Sequence, residues 1–386
     1  VVLAGLLLVI RRADGFVNPQ FWAEDFWPFF TEAHTVGPRV IAWPYNGYLH
    51  LLPRLIAEAA TPLNPAIQPA VYLLAALALT LGVVALALSP RLELPGKPWL
   101  ALAVVAVPHT GEVLLNVTNV QWVVALGLLL VLLRRDPARP GEWAEDGAVL
   151  FLGGFTGPFS VLFWPLFFAR ALGRRTRASW ILAAGLAVPA AVQGWFLLHS
   201  PGFPDPGAWQ WGRLLGVLAV RLPMTLALGE RWPVALGYAW TTGLGLVVTG
   251  GLIAASSRPD GRRGARWLLL VAFAILVLAA VKRVRPDTWA FYDTFNGDRY
   301  FYTPKVIAIW LVVLVVAELR GRWSRRLAGA VVVLALAANL PAFRFTPLPD
   351  LRWANYVEKI RAGERVEVPI NPGWKVVYPG RAPRKD

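Results

Sequence analysis

Pro69–Leu88 is an apolar run without a single charged residue, and it matches the roughly 20 residues a helix needs to cross the hydrocarbon core of a bilayer. No water-soluble fold has an ordinary use for such a run, and this one recurs. Val113–Leu133, Ser179–Leu198, Trp232–Ala255, Trp267–Val281, Pro304–Ala317 and Leu327–Phe343 are of the same kind, and Trp99–Val107 is a shorter one. Val1–Ile10 is apolar but too short to span alone, and reads as the outer half of a first helix whose start is missing. Composition agrees: of 386 residues 56% are hydrophobic and 16% charged, against about 25% charged in soluble domains. The expectation is an all-α polytopic membrane protein with about nine transmembrane helices.

Gly147–Ala169 does not fit as a single span. Gly153-Gly154 and Gly157-Pro158 interrupt it, and basic loops flank it on both sides, with Arg134, Arg135 and Arg139 before and Arg170, Arg174, Arg175 and Arg177 after. The positive-inside rule assigns both loops to the cytoplasm. A hairpin of two half-helices, entering and leaving on one side, satisfies that rule. Broken backbone at membrane depth is tolerated only where protein or a cavity surrounds it, so the hairpin is expected to border a cavity. The N-terminus and the loops opening at Arg91, Arg134, Arg170, Arg258 and Arg320 are then inside, and the C-terminus outside. Most of the +15 net charge is read as topology signal plus dispersed arginines, which form no contiguous basic face for nucleic acid. With no Cys in the chain, disulfides, thiolate metal sites and cysteine nucleophiles are excluded.

Within a membrane domain of residues 1–343, three outer segments are long enough for chemistry, and a small extracytoplasmic tail, 344–386, follows. The first extracytoplasmic loop, 11–66, carries Phe21-Trp22-Ala23-Glu24-Asp25-Phe26-Trp27-Pro28. Carboxylates held among aromatic rings are desolvated, which raises their pKa and suits them to general-base work. The alternative for Glu24 and Asp25 is a solvated pair or a helix cap. The second segment, 199–231, contains Trp209–Leu228, where Arg213 and Arg221 interrupt an apolar pattern, and reads as an amphipathic helix on the outer surface. The third, 282–303, combines Lys282, Arg283 and Arg285 with Asp298-Arg299-Tyr300. Arginines beside aromatics suit a phosphate and an apolar or sugar face, although ordinary headgroup binding would use the same residues. The tail is too short to hold a core of its own and is expected to pack on the outer loops.

Between two of the spans lies Pro108-His109-Thr110-Gly111-Glu112, followed by Asn116, Asn119 and Gln121 in apolar surroundings. Polar groups there usually face a bundle interior or a watery cavity. His109 and Glu112 could bind a metal together with Asp25, or could form a hydrogen-bonded helix junction. Asn116-Val117-Thr118 matches a glycosylation sequon and is discounted at a membrane edge.

An acidic pair, Glu24-Asp25, early in an outer loop that opens directly after helix one resembles the GT-C class of membrane glycosyltransferases. The many spans, the hairpin at Gly153–Pro158 and the small tail extend the resemblance over nearly the whole chain, and Asp298-Arg299-Tyr300 is a softer echo. The large soluble C-terminal domain of oligosaccharyltransferase-like members is missing. The resemblance implies a sugar transferase using a polyprenyl-phosphate-linked donor on the outer face of a bacterial inner membrane, with a glycan or glycolipid acceptor. In that setting Asp25 or Glu24 would be the base, or would hold a divalent cation such as Mg or Mn. Arg299, Arg283, Arg285 and Lys282 would bind the donor phosphate. Trp22, Trp27, Trp43, Tyr45, His109, Glu112, Asn116, Asn119 and Tyr300 would contact substrate. The rival readings are an O-antigen-polymerase-like or ligase-like enzyme dependent on outer arginines, a lipid-linked-sugar flippase or transporter, and a non-catalytic scaffold. The break at Gly153–Pro158 has no partner in the second half, which counts against a transporter built from inverted repeats.

Overall fold

The computed structural model describes residues 1–200, 211–229, 232–258, 263–283 and 297–380. Among them seven helices are long and apolar enough to cross a membrane, the build of an all-α polytopic membrane protein. Helix α1 (Val2–Arg11) leads into the first loop, which winds through α2 (Ala13–Val17), α3 (Thr31–Thr35) and α4 (Leu51–Ala60). The bundle continues with α5 (Gln68–Ala87), α6 (Lys97–Ala106), α7 (Val120–Leu133), α8 (Pro140–Gly154), α9 (Phe159–Arg174) and α10 (Arg177–His199). Then come α11 (Trp211–Gly216), α12 (Pro223–Leu228), α13 (Trp232–Ala235), α14 (Tyr238–Ser256), α15 (Arg263–Arg283), α16 (Arg299–Ala317) and α17 (Arg322–Asn339). The tail forms α18 (Ala354–Arg361) and an antiparallel hairpin of β1 (Val366–Ile370) and β2 (Trp374–Tyr378).

Helix α7 is buried along its whole length, as a helix apolar on every side should be. It packs against α5, α8, α9 and α16 and forms the axis of the bundle. Its sequence stretch Val113–Leu133 is helical only from Val120 onward. Residues 113–119 are drawn out instead by the polar contacts of Asp25 and Asn116 described below. The runs Val1–Ile10 and Trp99–Val107 fall in α1 and α6, helices of 10 residues each, shorter than a span.

The expected hairpin is present, with a different depth. Helices α8 and α9 have 15 and 16 residues, about 22–24 Å at 1.5 Å per residue, slightly more than α7. Their turn reaches the first loop: Leu51 N–H donates to the Phe155 carbonyl (3.1 Å) and Gly157 N–H to the Leu49 carbonyl (3.0 Å). Neither arm is among the seven helices long and apolar enough to cross a membrane, yet the turn lies beside the first loop. Hydropathy conceals this because α8 begins with Glu142, Glu145 and Asp146, whose charge is matched by arginines. Asp146 is fully buried and holds Arg91 at 2.5 Å and Arg134 at 2.9 Å, while Asp136 holds Arg170 at 2.6 Å and Arg174 at 3.0 Å. The loops after α5, α7 and α9 thus meet at one end of the bundle, as the basic flanks require.

Two further expectations change. Trp211–Leu228 is one of the seven long apolar helices and packs against α14, α15 and α17, not along a surface. A π turn at Val217–Arg221 carries Arg221 into the interior, where it lies 3.7 Å from Asp298 and 4.1 Å from the Phe301 ring. The arginine that made the segment look interfacial is paired internally. The all-α expectation is supplemented by the tail's two strands. The tail packs on the first loop: Trp353 lies 5.0–5.9 Å from the rings of Phe21, Phe26 and Phe30, and its indole N–H donates to the Pro65 carbonyl (2.9 Å).

Candidate functional site

The acidic pair sits on a 3-10 turn, Ala23–Asp25. Ala23 takes a left-handed φ of 42°, a conformation most residues avoid, and its N–H donates to the Asn371 carbonyl at 2.6 Å. The tail hairpin therefore fixes the backbone one residue before Glu24. The turn aims the two carboxylates in different directions, as adjacent positions on a tight turn must.

Asp25 points inward. It is 2% exposed and accepts from the Thr118 N–H (2.6 Å), the Thr118 hydroxyl (2.7 Å) and the Val117 N–H (3.4 Å). Burial pushes its pKa up to about 7, against the downward pull of those donors. Its contacts join the first loop to the segment before α7. Asn116 completes that segment: its Nδ2 donates to the Glu112 carbonyl (2.7 Å) and its Oδ1 accepts from the Asn119 N–H (2.9 Å). Asn116 and Thr118 are buried, so the sequon is not a surface acceptor.

Glu24 points into a pocket. Tyr45, Tyr48, His50, Asn119, Gln121, Arg283, Arg299 and Tyr300 line it with Glu24. Burial raises the Glu24 pKa, with Arg299 pulling it down and Glu112 pushing it up. Arg299 is ion-paired to Glu112, so one guanidinium lies between two carboxylates. Burial holds His50 neutral, its pKa pushed down to about 3 with help from Arg54, and its ring stacks on Tyr48 at 4.5 Å. Burial pushes the Tyr48 phenol up to about 12. The pocket thus offers one base, two cations and neutral polar and aromatic groups. Its cavity has a volume of about 50 Å³, too small for a sugar ring, which enters only as side chains move outward.

Of the residues singled out in the sequence, Glu24, Tyr45, Asn119, Arg283, Arg299 and Tyr300 are brought together here. Lys282 is exposed at the end of α15, away from the pocket lining, and Arg285 lies outside the described residues. Trp22 and Trp27 do not line the pocket; Trp22 pairs with Asn371 and Trp27 is 40% exposed. His109 is buried against Phe345, with its Nδ1 accepting from Gly111 N–H (3.0 Å). Asp25, Glu112 and His109 therefore have separate partners. Among the described residues no three His, Asp or Glu side chains are grouped to hold a metal ion, so no step is derived through a cation. Tyr48 and His50 join the lining without a signal in the sequence, because they come from a turn that no periodicity marks, and Thr118 and Trp122 join it from the segment entering α7 and its first turn.

A buried ion network supports this wall. Asp298 is fully buried and pairs with Lys305 at 2.8 Å, and its second oxygen accepts from the Thr110 N–H at 2.9 Å. The start of α16, which carries Arg299 and Tyr300, is thereby tied to the loop that carries Glu112. No family model, no curated protein and no solved structure matches this chain.

Proposed function

We propose that the protein is an integral membrane glycosyltransferase of GT-C-like build. It would transfer a sugar from a polyprenyl-phosphate-linked donor to a glycan or glycolipid acceptor on the extracytoplasmic face of a bacterial inner membrane. One observation carries the reading: Glu24 shares a pocket with Arg299 and Arg283 at the end of the bundle opposite the arginine-rich loops. Those loops belong on the cytoplasmic side by the positive-inside rule, which leaves the pocket facing outward.

In the proposed reaction the Glu24 carboxylate takes the proton of the acceptor hydroxyl. The acceptor oxygen forms a bond to the anomeric carbon, and the bond from that carbon to the phosphate oxygen breaks with its electron pair. The configuration inverts in this direct displacement. Arg299 and Arg283 stabilise the charge that develops on the leaving polyprenyl phosphate. Tyr45, Tyr48 and Tyr300 supply ring faces for the sugar, and Asn119 and Gln121 supply hydrogen bonds. Asp25 acts as a positioning residue through Thr118. A raised pKa brings Glu24 nearer to neutral pH, where a general base is most effective.

The test is purified protein in lipid nanodiscs offered a panel of polyprenyl-phosphate-linked sugars, with released polyprenyl phosphate as readout. Release that disappears in Glu24→Gln supports the reading. Release that survives Glu24→Gln but fails in Arg283→Ala or Arg299→Ala moves it to a polymerase-like or ligase-like enzyme. Saturable binding of the lipid without turnover by the wild type moves it to a flippase.

A further inference from the structure

Among the described residues, most buried cations have a carboxylate beside them. Arg54, Arg91, Arg134, Arg170, Arg266 and Lys305 are buried, and each forms an ion pair with an Asp or Glu. Arg11 and Arg12, at the end of α1, are 1% and 5% exposed. Among the described residues neither has an ion-pair partner.

Each guanidinium gives one nitrogen to the backbone. Arg11 Nη1 donates to the Val105 and Val107 carbonyls (2.6 and 3.0 Å), and Arg12 Nη2 donates to the Gly111 carbonyl (2.9 Å). Arg11 Nε and Nη2 and Arg12 Nε are buried without an acceptor. Asp14 is close by, but its Oδ2 accepts from the Leu348 N–H (2.9 Å). His109 adds a further donor. Its Nδ1 accepts from Gly111 N–H, which puts the ring proton on Nε2, and Nε2 is buried without a partner as well. The three side chains surround one ring. Phe345 lies 4.3 Å from Arg11 Cζ, 5.1 Å from Arg12 Cζ and 4.7 Å from the His109 ring. A ring face attracts a guanidinium, but it leaves these N–H groups unmatched, a costly state for buried ions, and the nearby Asp14 charge acts on Arg12 alone.

We propose that Arg11, Arg12 and His109 form a binding site for a phosphate-bearing anion, closed in this state by the Phe345 ring. A phosphate group offers the charge and the several acceptor oxygens that these donors lack. The site ends a helix whose Val2, Leu3, Leu6, Val9 and Ile10 are exposed and apolar, the kind of face that lipid chains cover. The phosphodiester of a lipid headgroup can reach such a site, and free phosphate shares its chemistry. None of the three residues lines the Glu24 pocket, and the inference does not rest on the glycosyltransferase reading.

The detergent-solubilised full chain is titrated with two probes, inorganic phosphate and a short-chain phosphatidylglycerol. Wild type, Arg12→Gln, Phe345→Ala and Arg135→Gln are compared by calorimetry, with thermal unfolding as the check on folding. Saturable binding of at least one probe is expected, about tenfold weaker in Arg12→Gln, as loss of a charge-assisted contact implies. Phe345→Ala binds more tightly because the ring no longer competes, and Arg135→Gln, at an exposed arginine outside both sites, binds like the wild type. Tighter phosphatidylglycerol identifies a headgroup site, and tighter phosphate a free-anion site. The proposal is overturned if neither probe binds wild type or Phe345→Ala, or if Arg12→Gln binds both probes as tightly as the wild type. Should Arg12→Gln not fold, unchanged affinity in Phe345→Ala overturns it alone.

Discussion

The carboxylate of Asp25 accepts both the backbone N–H and the hydroxyl of Thr118, at 2.6 and 2.7 Å, across a sequence separation of 93 residues. This contact fastens the first loop to the segment entering α7 and leaves Glu24, the neighbouring residue, facing the pocket. The two halves of the acidic pair therefore have different roles. Asp25 has the buried, hydrogen-bonded surroundings of a structural group. Glu24 shares a pocket with two arginines.

Asp25 gives the chain a pH signature. Its pKa is raised to about 7 in the folded protein from about 3.9 when unfolded, so the native state binds the extra proton between those values. Stability from this group is fully present below the lower value and is lost as pH rises through the upper one. Asp25→Asn removes the titration and keeps an acceptor for Thr118. The unfolding temperature of the wild type should therefore fall relative to Asp25→Asn between pH 4 and pH 8, as read by thermal unfolding in detergent. Parallel curves would contradict it.

Glu112 acts on Glu24, the proposed base, through charge. It raises the pKa of Glu24 and is paired with Arg299. Glu112→Gln removes the like charge and leaves the Arg299 cation less neutralised, so both changes lower the Glu24 pKa. The acidic limb of the pH profile of kcat/KM should move to lower pH. A limb that stays in place would show that Glu24 is not the titrating group.

Asp146 neutralises Arg91 and Arg134 in a fully buried setting. Replacing it by Asn removes the buried partner of both guanidiniums and leaves them the half-exposed Glu145, 3.6 Å from Arg91 and 3.0 Å from Arg134. Breaking a buried pair from one side costs about 3–5 kcal/mol, and a loss of that order is expected for Asp146→Asn in denaturant unfolding. Because the network lies at the end of α8 remote from the pocket, protein that still folds should keep its donor affinity.

Trp353 tests the link between tail and loop. Its ring packs on Phe21, Phe26 and Phe30, behind the turn that carries Glu24. Trp353→Ala should cost about 3–5 kcal/mol, as for other buried Trp truncations. It should also lower kcat, because the turn is held by the tail. Unchanged stability together with unchanged turnover would mean that the tail does not brace the loop.

The long uninterrupted helices were readable because apolar length alone identifies them, as in Pro69–Leu88. The return of the chain at Gly153–Pro158 was readable from the basic residues on both flanks. Its depth was not, because Glu142, Glu145 and Asp146 lower local hydropathy while their partner arginines lie elsewhere in the sequence. Trp211–Leu228 was misread for the same reason, since the charge of Arg221 is offset by Asp298 across a long separation. In the site, Glu24 is legible as a carboxylate among aromatic residues, and Arg283 and Arg299 as cations in a loop that the expected topology puts outside. Tyr48 and His50 were not, because their importance comes only from the way the loop folds back on Gln121 and Tyr300.

The central claim is that Glu24 is the base and Asp25 its positioning neighbour. Turnover of polyprenyl-phosphate sugar by Glu24→Gln and Asp25→Asn, measured side by side in nanodiscs with donor binding, tests it most directly. Glu24→Gln should lose about a hundredfold or more in kcat, the range of general-base contributions, while still binding donor. Asp25→Asn should retain a substantial fraction of turnover, since its Oδ1 still accepts from Thr118. Full turnover in Glu24→Gln, with loss confined to Asp25→Asn, would contradict the assignment.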